Sequence, residues 1–168
     1  MSATVQESFR TWTDESKRYA APLWPVAILR VYLGVAFLSA ASNKLFGWWA
    51  SWPQNMSHFL TSKLPDTYAL YRPVLTNVIL PHIEPFARTV AITEVAVGLS
   101  LLLGAGTRLG AAVGLLLIGN YLLALGDIPW QPGEDQAFLA GLVVVLITNA
   151  GRAYGIDHWF ARARARNV

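Results

Sequence analysis

The chain has 168 residues, 54% of them apolar, and a net charge of only +3 at pH 7. Its positive mean hydropathy is too high for an ordinary soluble domain of this size, so the bilayer is the expected solvent. Cysteine is absent, which excludes disulfides, thiolate metal sites, iron–sulfur ligation and a dithiol relay. Much of the basic excess lies in Arg162, Arg164 and Arg166 and suits anionic headgroups rather than nucleic acid.

Residues 1-21 read as a cytoplasmic extension of mixed charge. The small residues Ser39-Ala40-Ala41-Ser42 after the first apolar run superficially resemble a signal-peptidase site. Glu7, Asp14 and Glu15 spoil the basic region such a signal needs, and Arg30 interrupts its apolar run, so a retained first helix is expected. Four stretches approach the roughly 20 apolar residues that cross a bilayer at about 1.5 Å per residue. They cover about 22-43, 85-105, 107-126 and 135-151. Pro22, Pro25 and Pro85 suit first turns, where the missing N–H is unpaired anyway. Gly104-Ala105-Gly106 separates the second span from the third, and Gly126, Pro129, Pro132 and Gly133 separate the third from the fourth. Short connections make neighbours antiparallel. The expected fold is therefore an all-α, four-transmembrane-helix antiparallel bundle over residues 22-151, with a basic tail over 152-168.

Residues 44-84 form the odd connection, too long for a turn and rich in aromatics and prolines. Leu45-Phe46-Gly47-Trp48-Trp49-Ala50-Ser51-Trp52 suits a short helix in the interface plane. Met56, Phe59, Leu60 and Leu64 repeat at helical spacing, as in a second short helix packed down on the bundle. A structural cap, a substrate lid and a partner-docking surface all fit this segment. With four spans, Arg10, Lys17, Arg18, Arg108, Arg152, Arg162, Arg164 and Arg166 fall on one side, and Lys44, Lys63, Arg72 and Arg88 on the other. The positive-inside rule then places both termini in the cytoplasm and residues 44-84 outside. Trp24, Trp48, Trp49, Trp52, Trp130 and Trp159 all fall near span ends, where amphipathic rings favour the headgroup level; Trp12 does not.

Charges inside a membrane are expensive and normally pair or mark a site. Arg30, about eight residues into the first span, and Glu94, about nine into the second, both come near mid-membrane and are expected to meet. The pair is either a register lock or a site in which the carboxylate accepts a proton. Asn43 and Lys44 close the first span. Lys44 either snorkels to the headgroups or turns inward toward Glu94 and Asn120 to line an outward-opening pocket. Asn120 and Asn149 also suit bridges between helices, and Gly110 with Gly114, Gly34 and Gly98 suit close helix contacts. His58, His82 and His158 include no facing pair inside the spans for a transmembrane haem. His82 with Glu84 lacks a third partner for a metal. No phosphate loop, nucleophile elbow or HExxH zinc helix is present.

The same residues resemble the DoxX/DoxD family of small bacterial membrane proteins. The first segment, Leu29-Arg30-Val31-Tyr32-Leu33-Gly34-Val35-Ala36-Phe37 followed by Asn43-Lys44-Leu45-Phe46-Gly47, is similar to the family's opening helix. Glu94-Val95-Ala96-Val97-Gly98 leading to Leu103-Gly104-Ala105-Gly106-Thr107-Arg108-Leu109-Gly110-Ala111 resembles its helix-turn-helix centre. Asn149-Ala150-Gly151-Arg152-Ala153-Tyr154-Gly155-Ile156-Asp157 resembles its closing motif. One branch of that family is the membrane subunit of thiosulfate:quinone oxidoreductase. The resemblance implies a bacterial cytoplasmic-membrane subunit of an electron-transfer complex, possible contact with quinone, and further protein subunits. Glu94 and Arg30 are then the candidate catalytic pair, with Lys44, Asn120 and Asn43 around the quinone or substrate pocket. No haem, flavin or iron–sulfur motif accompanies them, so electrons need a partner subunit or a substrate that meets quinone directly. The alternative is a non-catalytic accessory subunit that stabilises a larger respiratory or photosynthetic membrane complex. A small transporter is disfavoured, because no internal inverted repeat is visible.

Overall fold

The computed structural model describes residues 24–47, 49–126, 133–148, 150–152, 155–157 and 159. The N-terminal extension, Trp12, Trp48, residues 127–132 with Trp130, Asn149, His158 and the basic end of the tail lie outside them. The described residues are mostly helical, without strands. Five helices carry the fold: α1 (Trp24–Ser42), α2 (Trp52–Lys63), α3 (Ile83–Leu103), α4 (Thr107–Leu125) and α5 (Glu134–Thr148). Their ends follow local chemistry. α3 stops at Gly104 and α4 at Gly126, both with positive φ (68° and 73°), the left-handed conformation that glycine adopts without a Cβ clash.

Three helical runs are long and apolar enough to cross a membrane: Trp24–Phe46, Arg72–Leu103 and Thr107–Leu125. α5 is equally apolar but shorter, at 15 residues. α1 packs on α3 and α5, α3 on α4, and α4 on α5, which closes a ring of four helices. Leu33, Val97, Leu101, Leu142 and Val145 fill its centre and are almost wholly buried. Elsewhere the ring turns Ile28, Ile92, Leu109, Leu116 and Ile147 outward, as helices bathed in lipid do.

α1 and α3 run in opposite directions and touch closely. A Cβ on Gly34 would sit 2.7 Å from the Leu102 backbone nitrogen, and one on Gly98 2.7 Å from Leu38 Cγ. The expected packing role of these glycines, and of Gly110 and Gly114 against Ser100 and Leu142, is what the structure contains.

Residues 44–84 differ from expectation in three ways. Leu45, Phe46 and Gly47 do not start a separate interfacial helix; Asn43–Gly47 prolongs α1 by one wide π-type turn, and the next helix begins only at Trp52, with Pro53 in its first turn. Met56 and Leu60 are buried as the spacing implies, but Phe59 is 50% exposed, because it lies outside the one stripe that this 12-residue helix turns toward α3 and α4. The helix ahead of Ile83 starts early. Arg72–Val74, a π-type turn over Leu75–Ile79 and a tighter turn over Leu80–His82 run straight into α3. Pro73 and Pro81 are tolerated because each sits in the first turn of its piece.

This segment packs on the bundle through Met56, Leu60, Leu75 and Ile79 against Ala87, Val90 and Ala124. Polar contacts reinforce it: Trp52 Nε1 donates to the Ala87 carbonyl at 3.2 Å, and the buried Thr67 hydroxyl donates to the Ala124 carbonyl at 2.7 Å. The segment is thus anchored at the end of the bundle that also holds Lys44.

Candidate functional site

Ala27, Arg30, Leu33, Gly34, Phe37 and Ala41 form the buried face of α1, and Lys44 continues the same four-and-three spacing. Arg30 and Lys44 therefore share a face about 21 Å apart. Glu94, buried midway along α3, lies at a level between them and pairs with Lys44 rather than Arg30. The expected meeting of Arg30 and Glu94 is corrected by the direction of side chains. Every Cα–Cβ bond leans toward its helix's N-terminus, so in opposed helices Lys44 and Glu94 lean toward each other while Arg30 leans away. Helical depth alone carries no such information.

Two aromatic rings complete the pair. Lys44 Nζ stands 4.9 Å from the Trp52 ring centroid and 5.9 Å from that of Tyr121, within cation–π range. The Tyr121 hydroxyl donates to Glu94 Oε1 at 2.9 Å. Oε1 thus accepts from both Lys44 and Tyr121, whereas Glu94 Oε2 is buried with no partner among the described residues. Glu94 borders a cavity of about 170 Å³. Ala36, Phe37, Ala40, Ile118 and Phe138 give it an apolar wall; Lys44, Glu94, Tyr121 and Asp135 supply the polar groups.

Of the expected pocket residues, Lys44 and Glu94 meet. Asn43 is exposed on the π-type turn. Asn120 lies beside Tyr71 and does not border the cavity, because successive residues of a helix point about 100° apart and Tyr121 takes the inward direction. Tyr121 and Asp135 are not among the expected residues. Tyr121 is findable, since it follows Gly114 and Ile118 on the i, i+4, i+7 stripe of α4. Asp135 reads in sequence as ordinary first-turn acid.

Arg30 belongs to a different cluster at the opposite end of the ring. Its Nη1 donates to the Ala150 carbonyl at 3.0 Å, and a Cβ on Gly104 or Gly155 would run into its guanidinium. Asp157 completes this cluster. Its carboxylate accepts from the Gly106 and Thr107 amides at 2.8 and 3.1 Å, and its own N–H donates to the Gly104 carbonyl at 2.9 Å. A carboxylate on the first amides of α4 satisfies donors that have no intrahelical acceptor. Burial alone would raise the Asp157 carboxyl, but those two amides and the nearby Arg30 charge together hold it below its usual range. The closing motif thus ties the end of α3 and the start of α4 to α1.

The DoxX family model matches residues 26–125. The chain belongs to the DoxX family. No curated protein and no solved structure matches it. With three apolar helices long enough to cross a bilayer, this DoxX chain is a small, multi-pass, lipid-embedded membrane protein. The matched stretch contains Arg30, Lys44, Glu94 and Tyr121 and stops before α5, so the DoxX match ends short of Asp135, Phe138 and the Asp157 clasp.

Proposed function

We propose that this DoxX protein is a quinone-reactive membrane subunit of an electron-transfer complex, with the quinone ring in the cavity beside Glu94. The observation that carries this reading is the buried ion pair of Lys44 and Glu94, in which one carboxylate oxygen already accepts from two donors and the other, on a cavity-lining residue, has none among the described residues. The space of about 170 Å³ is smaller than the roughly 300–1,000 Å³ typical of drug-sized ligands. It fits a single substituted ring, with the isoprenoid tail left in lipid. Lys44 has three N–H donors, so an ammonium bound to Glu94 still has donors for a ring oxygen. Glu94 is the proton acceptor or donor in this reading, Tyr121 positions it, and the Phe37 and Phe138 rings flank the space. Arg30 belongs to the clasp rather than to the reacting centre.

In the full arrangement α5 is a fourth crossing, with both termini on the cytoplasmic side of a bacterial inner membrane and residues 44–84 outside. The sequence has no cysteine, so electrons reach the quinone from a partner subunit or directly from a small reductant. Thiosulfate is the first donor to test, by resemblance to the thiosulfate:quinone branch. An accessory, non-catalytic role is favoured by one observation: Lys44, Glu94, Trp52 and Tyr121 also interlock three helices and the outer segment.

The deciding experiment isolates the complex in mild detergent from cells carrying wild type, E94Q or R30A, extracts bound lipid for quinone, and measures donor-dependent quinone reduction. The quinone reading expects E94Q to assemble normally and lose reduction. Full activity in assembled E94Q overturns it, and activity lost only together with assembly leaves the accessory role.

A further inference from the structure

We infer that the cavity discriminates between the redox forms of its ligand, binding the hydroxyl-bearing quinol more tightly than the quinone. This inference rests on the quinone reading and adds which form the site is built to hold. It follows from the inventory of hydrogen-bonding groups on Glu94.

In its ion pair with Lys44 the Glu94 side chain is a carboxylate, an acceptor at both oxygens. Oε1 is occupied by Lys44 Nζ and the Tyr121 hydroxyl. Oε2 is buried and has no donor among the described residues, on a residue only 2% exposed. A ligand that satisfies Oε2 must bring an N–H or O–H of its own. A quinone carbonyl has none. It can accept from Lys44, but it leaves Oε2 buried and unpaired, and an acceptor oxygen packed against it is repelled. A quinol hydroxyl both donates to Oε2 and accepts from Lys44 Nζ, which pairs every polar group at that point. Sites built to bond a ligand hydroxyl reject analogues lacking it because their own buried groups are then stranded.

The apolar wall strengthens the selection. Phe37, Ile118 and Phe138 offer no alternative donor to Oε2 and Lys44 Nζ is engaged on Oε1, so discrimination falls on the ligand's hydroxyl. Asp135, the other acidic group bordering the cavity, is also an acceptor and adds no preference for the oxidised form.

The test uses full-length protein in lipid nanodiscs, titrated anaerobically with decyl-benzoquinol and separately with decyl-benzoquinone, following tryptophan emission and calorimetric heat. Quinol is expected to bind at least tenfold more tightly, equivalent to a bound couple about 30 mV above the free one for a two-electron exchange. In E94Q, oriented so that its carbonyl replaces Oε1, the amide N–H₂ replaces the acceptor Oε2 with a donor, and the preference is expected to fall to unity or reverse. Should E94Q not accumulate, E94D withdraws the carboxylate by one methylene and should weaken quinol while leaving quinone unchanged. Equal or tighter binding of quinone by the wild type overturns the inference and leaves the quinone reading standing, as does a preference that persists in E94Q or E94D. Binding of neither form overturns both and points to water as the partner of Oε2.

Discussion

Lys44, two residues beyond the end of α1 in the π-type turn that prolongs it, reaches back along the bundle to Glu94, midway along α3, and shares its Oε1 with Tyr121. The Lys44 side chain is 14% exposed and the Glu94 side chain 3%, so the two charges are desolvated together and each depends on the other. Removing Lys44 leaves the Glu94 charge buried and unbalanced, at a cost of about 3–5 kcal/mol, whereas E94Q keeps an acceptor for the less buried Lys44 and removing both charges together is far milder. K44M is therefore expected to destabilise the protein strongly, and K44M combined with E94Q to recover most of the loss. Unfolding of the four proteins in mixed dodecylmaltoside–SDS micelles gives the double-mutant cycle. Additive losses would mean that the pair is not coupled.

The contact between α1 and α3 sets the register that brings Lys44 and Glu94 to one level. A Cβ at Gly34 meets backbone atoms of Leu102 rather than a flexible side chain, so the helices must move apart to admit it. G34V is expected to cost about 1–3 kcal/mol by overpacking and to weaken the Lys44–Glu94 pair indirectly. At Gly119 an added methyl would meet no described atom within 4 Å, so G119A is neutral or gains up to about 1 kcal/mol in helix propensity. The same micelle assay compares them.

Asp157 gives the clasp a pH dependence. Its carboxyl is held below the ordinary value of 3.8, so the folded state binds its proton less readily than the unfolded chain does. A depressed carboxyl contributes stability that is fully present above the unfolded value, and that stability is lost as the pH falls through the folded value. Thermal unfolding of wild type and D157N between pH 7 and pH 3 should show the wild type more stable at neutral pH, with the gap narrowing below about pH 4. A gap that widens on acidification would rule out this origin.

The outer segment is attached by a buried hydroxyl. Thr67 Oγ1 donates to the Ala124 carbonyl, next to the end of α4. T67V keeps the shape and removes the bond, for an expected loss of about 1 kcal/mol. Hydrogen exchange across residues 64–82 is expected to speed up in this variant, while exchange in α4 and α5 stays near wild type.

The helices were legible because their signals are local. Apolar runs bounded by Gly104, Gly106 and Gly126 appear in the sequence much as they do in the fold, and the Gly34 and Gly98 contact followed from small residues alone. The site was half legible. Arg30, Lys44 and Glu94 stood out as charges in apolar stretches, but their partners depended on which way each side chain leans from an opposed helix. Asn120 attracted notice by its amide, while Tyr121 beside it, aromatic in an aromatic-rich chain, did not. Residues 72–82 carry three-residue and five-residue turns around Pro73 and Pro81, and a proline-interrupted stretch reads as loop wherever such turns preserve the helix.

α5 is 15 residues long, about 22 Å at helical rise, against roughly 30 Å of hydrocarbon. Asp135 and Phe138 in its first turns border the cavity, and α1 faces them with Phe37 and with the small side chains of Ala36 and Ala40, the last exposed. On that side the wall is low, and beside the Phe37–Phe138 contact it is covered only by Ala36 and Ala40. On the quinone reading, an amphiphile dissolved in the membrane would reach Glu94 sideways past Ala36 and Ala40, with its tail still among the lipids. Supply to the site then follows the ligand's concentration within the membrane, which for a long-tailed molecule far exceeds its concentration in water.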